Sequence, residues 1–184
     1  GAWIAVCLAV GAPFAIEVIA GPGFEPSVIV LRIQSAGLVT AFLVATWLFA
    51  MLSLKLFRQL LYANAAAAVV AVVGTLVLAP PLGAEGAAIA TVAAEAVCGL
   101  ACLFVVQRAR PALRPRLGIV PKVVLAVAVS LLPALLIDAH SIVLVVLSSI
   151  AFFAVLLPLR GIPPELLNAL RGREPERPDE PAAP

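Results

Sequence analysis

"PPLGAEGAAIATVAAE", residues 80–95, interrupts an apolar stretch with two adjacent prolines and two glycines. Proline removes a backbone donor and glycine tolerates turn conformations, so the combination indicates a break between two helices. On either side lie apolar runs at 60–78 and 86–106, and each matches the roughly 20 residues that a membrane-spanning helix needs. The stretch therefore predicts a turn between two transmembrane helices, with Glu95 inside the second.

The composition extends this interpretation to the whole chain. Of its 184 residues, 64% are hydrophobic and 12% are charged, and the mean hydropathy is +1.17. Soluble domains have roughly 45–50% apolar and about 25% charged residues. A signal peptide would supply a single apolar core of about 7–15 residues, whereas apolar segments recur here up to Arg160. We therefore expect a membrane protein.

Charges and Pro/Gly clusters divide the chain into six apolar spans. We predict an all-α polytopic membrane helix bundle of about six transmembrane helices in residues 1–160. The last residues, 161–184, are rich in Pro, Glu and Arg and are predicted to form a largely disordered cytoplasmic tail. The predicted spans are 2–20, 27–54, 60–78, 86–106, 119–137 and 142–159.

The loop charges predict the orientation in the membrane, because short cytoplasmic loops are enriched in Lys and Arg. Eleven such residues follow spans two, four and six, whereas "GPGFEPS", "APPLGAEG" and "DAH" contain none. This alternation places both ends of the segment on the cytoplasmic side of the cell membrane. The basic loop and tail residues are Lys55, Arg58, Arg108, Arg110, Arg114, Arg116, Lys122, Arg160, Arg171, Arg173 and Arg177.

Features typical of catalytic sites are missing from the sequence. The three cysteines lie in apolar runs, where we interpret them as packing residues. His140 stands alone in a loop, and no Walker or zinc pattern occurs. We expect no enzymatic activity, no cofactor or metal, and no nucleic-acid partner.

Two charges are predicted at similar depth near the outer side of the membrane. Glu17 lies near the end of span one, and Arg32 lies about one and a half turns into span two. Their depths match within a few ångströms at about 1.5 Å per residue, so the two side chains could pair. The alternative is that both lie in the interface, with Arg32 extending its stem towards water.

Span four combines a buried charge with small residues. Gly86, Ala90, Ala94, Cys98 and Cys102 recur every four residues, a stripe that allows close approach of another helix. Thr91 and Glu95 lie on the adjacent stripe, so Glu95 either takes part in ion coupling or an interior polar network, or makes a helix-packing hydrogen bond. Asn64, near the start of span three, is interpreted as a structural hydrogen-bonding residue.

The segment "LAPPLGAEGAAIATVAAE", residues 78–95, resembles the polysaccharide and lipid-linked oligosaccharide flippases of the multidrug/oligosaccharidyl-lipid/polysaccharide exporter superfamily. The upstream stretch "VIAGPGFEPSVIVLRIQSAGLV" is similar to an outer loop and the following helix of that family. The chain departs from the family pattern at Thr75, where a second Asn is usual, and at Pro81 and Leu82, which replace a more polar pair.

The resemblance implies two six-helix lobes that alternate access to a central cavity. This chain would supply the second lobe's last four helices plus two extra helices, and an N-terminal lobe would complete it. The implied substrate is a polyprenyl-pyrophosphate-linked oligosaccharide, with membrane lipids and other polysaccharide-assembly proteins as partners. Arg32 is then the candidate for pyrophosphate binding, with Glu17 holding it in the unloaded state. The alternatives are half of a multidrug antiporter and a structural membrane protein.

Overall fold

The computed structural model describes residues 1–111, 120–137 and 140–158, and these ranges contain five helices and no strand. The all-α class is therefore confirmed, and the helix ends lie within a few residues of the predicted spans. The helices are α1 (Ala2–Ala20), α2 (Ser27–Ser53), α3 (Phe57–Ala109), α4 (Val120–Leu136) and α5 (Ser141–Leu156). The predicted tail at 161–184 lies outside the described residues, as do Arg114, Arg116, Arg160, Arg171, Arg173 and Arg177.

Helix α3 is divided by the predicted turn. Its 53 residues would extend about 80 Å if they were straight, more than twice the roughly 30 Å hydrocarbon core of a bilayer. Gly83 interrupts it with φ 59° and ψ −135°, a conformation open essentially to glycine alone. We call residues 57–82 the first arm of α3 and residues 84–109 its second arm.

The two arms pack closely against each other in opposite directions. A Cβ added at Gly74 in the first arm would lie 3.0 Å from the Cβ of Ala90 in the second, and one added at Gly86 would collide with the carbonyl of Leu78. All five small residues of the predicted stripe are buried. The prediction that this stripe allows a close helix pair is confirmed. The stripe consists of Gly86, Ala90, Ala94, Cys98 and Cys102.

Helix α2 packs in parallel with the second arm. A Cβ added at Gly37 would lie 2.9 Å from Val92, and one added at Gly99 would lie 3.2 Å from Val44. Both contacts pair residue n of α2 with residue n + 55 of the second arm, so the two helices point the same way. The first arm connects them by running in the opposite direction.

The basic ends of these helices lie together. Met51, Ala63, Cys98, Cys102 and Val106 form one buried cluster from α2 and both arms. Lys55 and Arg58 follow the α2 end of this cluster, and Arg108 and Arg110 follow its second-arm end. The four cations therefore lie at one end of the bundle.

Helix α1 contacts α2 on one side and α4 and α5 on the other. It is antiparallel to α5, since Trp3 Nε1 donates to Ser149 Oγ at 3.1 Å and the rings of Phe14 and His140 are 5.9 Å apart. Among the described residues, α3 contacts no helix besides α2. The helices are therefore arranged in the order α3, α2, α1 and then the α4–α5 pair.

Three helices, α1, α2 and α3, are long and apolar enough to cross a membrane, judged by length and composition. Helices α4 and α5 are apolar but shorter, with 17 and 16 residues. Large apolar side chains are exposed along all five helices, among them Ile19, Phe49, Leu76, Leu135 and Ile150. These features are compatible with a membrane protein, but the predicted count of about six spans is not confirmed.

Candidate functional site

The predicted interior polar residues of α3 come together in one groove. The groove has a volume of about 480 Å³ and lies between α2 and both arms of α3. Asn64 lines it from the first arm, and Thr91 and Glu95 line it from the second. Its other lining residues are small or aliphatic, or Cys98, and none carries a positive charge: Ala41, Val44, Ala45, Leu48, Ala67, Ala68, Ala71, Ala94 and Cys98.

The half-buried carboxylate of Glu95 is accommodated by two residues of α2. A Cβ added at Gly37 would lie 3.1 Å from Glu95 Oε2, so the absence of a side chain there makes room for the carboxylate. Thr40 Oγ1 lies 3.5 Å from the same oxygen and 2.6 Å from the carbonyl of Gly37. A threonine hydroxyl has a single hydrogen, and the Gly37 carbonyl, at the shorter distance, is the better-placed acceptor for it. When the hydroxyl donates to the Gly37 carbonyl, its oxygen presents a lone pair to Glu95, and when it rotates towards Glu95 it donates to Oε2.

Two oxygen lone pairs facing each other are favourable only when something positive lies between them. A small cation that binds both oxygens would meet this requirement. The carboxylate and the hydroxyl therefore offer two oxygen ligands to a positive charge.

Asn64 and Thr91 each donate a hydrogen bond within their own helix. Asn64 Nδ2 donates to the carbonyl of Leu60 at 2.9 Å, and Thr91 Oγ1 donates to the carbonyl of Ala87 at 3.0 Å. Each bond returns to the preceding turn of the same helix. The side-chain oxygens of both residues can still accept hydrogen bonds from a ligand in the groove.

Arg32 lies elsewhere, on an exposed side of α2. Its Nε donates to the backbone carbonyl of Ala9 in α1 at 3.2 Å. Ala41, which lines the groove, lies nine residues further along α2 and therefore about 180° around the helix from Arg32. The basic side chain and the groove are on opposite sides of α2.

The suggested pairing of Arg32 with Glu17 does not occur in the structure. No ion pair within 4.0 Å joins these two residues, both of which lie in the described part of the chain. Ala9 precedes Glu17 by eight residues, or about 12 Å along the helix axis. Similar predicted depth is therefore not sufficient for pairing, because Arg32 binds the carbonyl of Ala9, more than two helical turns from the Glu17 carboxylate.

Glu17 instead lines a shallow pocket of about 250 Å³ near the loop between α1 and α2. Glu25 lines the same pocket, and its Oε1 accepts a hydrogen bond from the backbone N–H of Gly23 at 3.3 Å. Two carboxylates at this position make the pocket unsuitable for an anion.

Three residues of these sites were missed by sequence reasoning. Thr40 and Gly37 contact Glu95 from a helix that is distant in sequence, and only the parallel packing of α2 reveals them. Pro13 could have been recognised from the sequence. A proline inside a helix leaves the carbonyl four residues earlier without its usual donor, and here that carbonyl belongs to Ala9.

Within the described ranges no group of three or more His, Cys, Asp or Glu residues could hold a metal ion. Comparisons with protein-family models, curated proteins and solved structures find no significant match.

Proposed function

We propose that the chain is the C-terminal part of a membrane transporter that moves a polyprenyl-pyrophosphate-linked oligosaccharide across the cytoplasmic membrane. An anion of this kind requires hydrogen-bond donors at membrane depth, and a guanidinium binds two phosphate oxygens at once. Arg32 is the observation that carries the proposal. It is the only basic residue inside the outer half of a predicted span, and its side chain is exposed on α2.

The proposed topology has six spans with both ends in the cytoplasm. Each arm of α3 has 26 residues, enough to cross a bilayer separately. Helices α4 and α5 would each cross with the help of flanking residues. The clustering of Lys55, Arg58, Arg108 and Arg110 at one end of the bundle supports this arrangement, because these cations would share the cytoplasmic side.

In this proposal Glu95 couples transport to a proton or a small cation. Its carboxylate lies in a groove without positive side chains, and Thr40 Oγ1 lies 3.5 Å from its Oε2. Because Arg32 and the groove lie on different sides of α2, this helix would contact both sites. Occupancy of one site could then favour a different position of α2 relative to its neighbours.

The test is flipping by the full-length protein in proteoliposomes, with a fluorescent oligosaccharide on a short polyprenyl pyrophosphate. We expect transport by the wild type and a loss of at least about tenfold in Arg32→Ala, since each 1.4 kcal/mol of lost interaction is a factor of ten. Arg58→Ala removes a charge at the end of the bundle and serves as the matched control. Equal activity of Arg32→Ala and Arg58→Ala would contradict the proposal.

One observation favours a second candidate, an antiporter for hydrophobic cations. The groove combines a single carboxylate with an apolar wall, a combination suited to an organic cation with a ring system. Efflux of a cationic dye that depends on Glu95, without flipping of the pyrophosphate-linked sugar, would favour this function over the first.

A further inference from the structure

Pro13 lies inside α1, where its ring nitrogen carries no hydrogen. In a regular helix the N–H of residue 13 would donate to the carbonyl of Ala9. Because no water reaches the hydrocarbon core of a membrane, a carbonyl left unpaired there must find another donor. The proline thus creates an acceptor on the side of α1 that meets α2.

Arg32 supplies the missing donor through Nε, at 3.2 Å from the Ala9 oxygen. A guanidinium has five N–H groups, and this bond uses one of them. The other four belong to Nη1 and Nη2, which make no hydrogen bond within the described residues. The side chain is therefore held by its inner nitrogen while its two outer nitrogens stay available on an exposed surface.

We propose that Pro13 is a positioning residue for an anion site at Arg32. By leaving the Ala9 carbonyl unpaired, the proline fixes the guanidinium through Nε and presents Nη1 and Nη2 to two oxygens of a phosphate group. The identification of that group as the pyrophosphate of a lipid carrier rests on the proposed function. The holding of Arg32 does not require Glu17, which forms no ion pair with it.

A guanidinium held in place binds more tightly than a mobile one, because less side-chain freedom is lost on binding. Replacing Pro13 with Ala would restore an N–H that donates to Ala9 within α1. That bond would compete with Arg32 for the carbonyl and release the guanidinium. The substitution should therefore weaken anion binding although residue 13 itself has no group that binds the anion.

The geometry can be tested without any ligand, by thermal unfolding of the full-length protein in detergent. Arg32→Ala should lower the melting temperature, and this loss should shrink by at least about half in a Pro13→Ala background, because residues that share a partner are not additive. Pro133→Ala is the matched control. It is a proline in the interior of α4, a helix that makes no contact with α2, so its effect should add to that of Arg32→Ala.

Anion binding is then measured with farnesyl pyrophosphate as the probe. We expect Pro13→Ala to weaken binding about five- to tenfold, in line with the loss of one hydrogen bond that orients a charged group. Arg32→Ala should abolish binding in either background. Pro133→Ala should bind like the wild type.

The outcomes separate this inference from the proposed function. Additive melting shifts for Pro13→Ala and Arg32→Ala would overturn the positioning role, whatever the probe does. Coupled shifts with unchanged probe affinity in Pro13→Ala would also overturn it, since the contact would then serve stability alone. If the shifts are coupled but the wild type does not bind the probe, the anion site fails together with the pyrophosphate carrier proposed as substrate.

Discussion

Thr40 Oγ1 on α2 lies 3.5 Å from Glu95 Oε2 on the second arm of α3, and the two helices run in the same direction. The contact joins residues 55 positions apart in the chain, and the glycine one turn earlier in α2 gives the carboxylate its space. A charge that would be costly in lipid is thus placed against a hydroxyl. Whether this carboxylate binds a positive charge can be tested by substitution.

We expect Glu95→Gln to keep abundance and reduce transport. The amide has the shape of the carboxyl group but carries no negative charge, so coupling should be lost while packing stays. Counterflow in proteoliposomes with and without a pH or sodium gradient is the measurement. If Glu95→Gln responds to both gradients like the wild type, Glu95 has only a packing role.

Thr40→Val should affect the same step to a smaller degree, because it removes the hydroxyl and leaves the carboxylate. Thr46→Val is a suitable control, since that hydroxyl bonds only the carbonyl of Phe42 in its own helix. A gradient response that is lowered in Thr40→Val and normal in Thr46→Val would support the shared site. A normal gradient response in Thr40→Val together with a lowered response in Thr46→Val would exclude the shared site.

Substitutions at Arg32 and Glu17 should now differ sharply. Arg32→Lys keeps the charge but loses the planar fork, so flipping should fall several-fold, and Arg32→Ala should fall further. Glu17→Gln should stay close to the wild type, because no ion pair is broken. Equal losses in all three variants would falsify the anion site and point to a charge pair that forms in another conformation.

Gly86→Ala should be among the most damaging small substitutions in the chain. The added Cβ would meet the backbone carbonyl of Leu78, which cannot move without opening the pair of arms. Gly11→Ala meets only the end of the Val145 side chain at 3.1 Å and should cost much less. Melting temperature and yield after detergent extraction measure both, and a similar cost for the two substitutions would argue against the close packing of the arms.

The topology can be checked by labelling single cysteines in a background without Cys7, Cys98 and Cys102. We expect a cysteine at Glu85 to react from outside and cysteines at Ala112 and Ala182 to react from the cytoplasm. A cysteine at Ala139 should behave like the one at Glu85. Any exchange between the two groups would reject the six-span arrangement.

Hydropathy was enough to predict the helices, because apolar length and proline or glycine breaks are local properties of the chain. The stripe from Gly86 to Cys102 could likewise be predicted, since it depends on the spacing within one helix. The partner of Arg32 could not be found by matching depths, as Ala9 offered an acceptor only because of Pro13. The contact of Thr40 with Glu95 could not be predicted either, because it depends on the parallel packing of α2 and the second arm, which no local sequence pattern indicates.

The parallel packing of α2 with the second arm determines when their contacts can form during synthesis of the protein. The contacts Gly37–Val92, Thr40–Glu95 and Val44–Gly99 each form only after 55 further residues have been added, which at about 5–20 residues per second takes roughly 3–11 s. In the proposed topology, α2 and the first arm would enter the membrane before the second arm, with the hydroxyl of Thr40 donating to the Gly37 carbonyl of its own helix. The short bond between these residues thus keeps the Thr40 hydroxyl hydrogen-bonded until Glu95 has been synthesised.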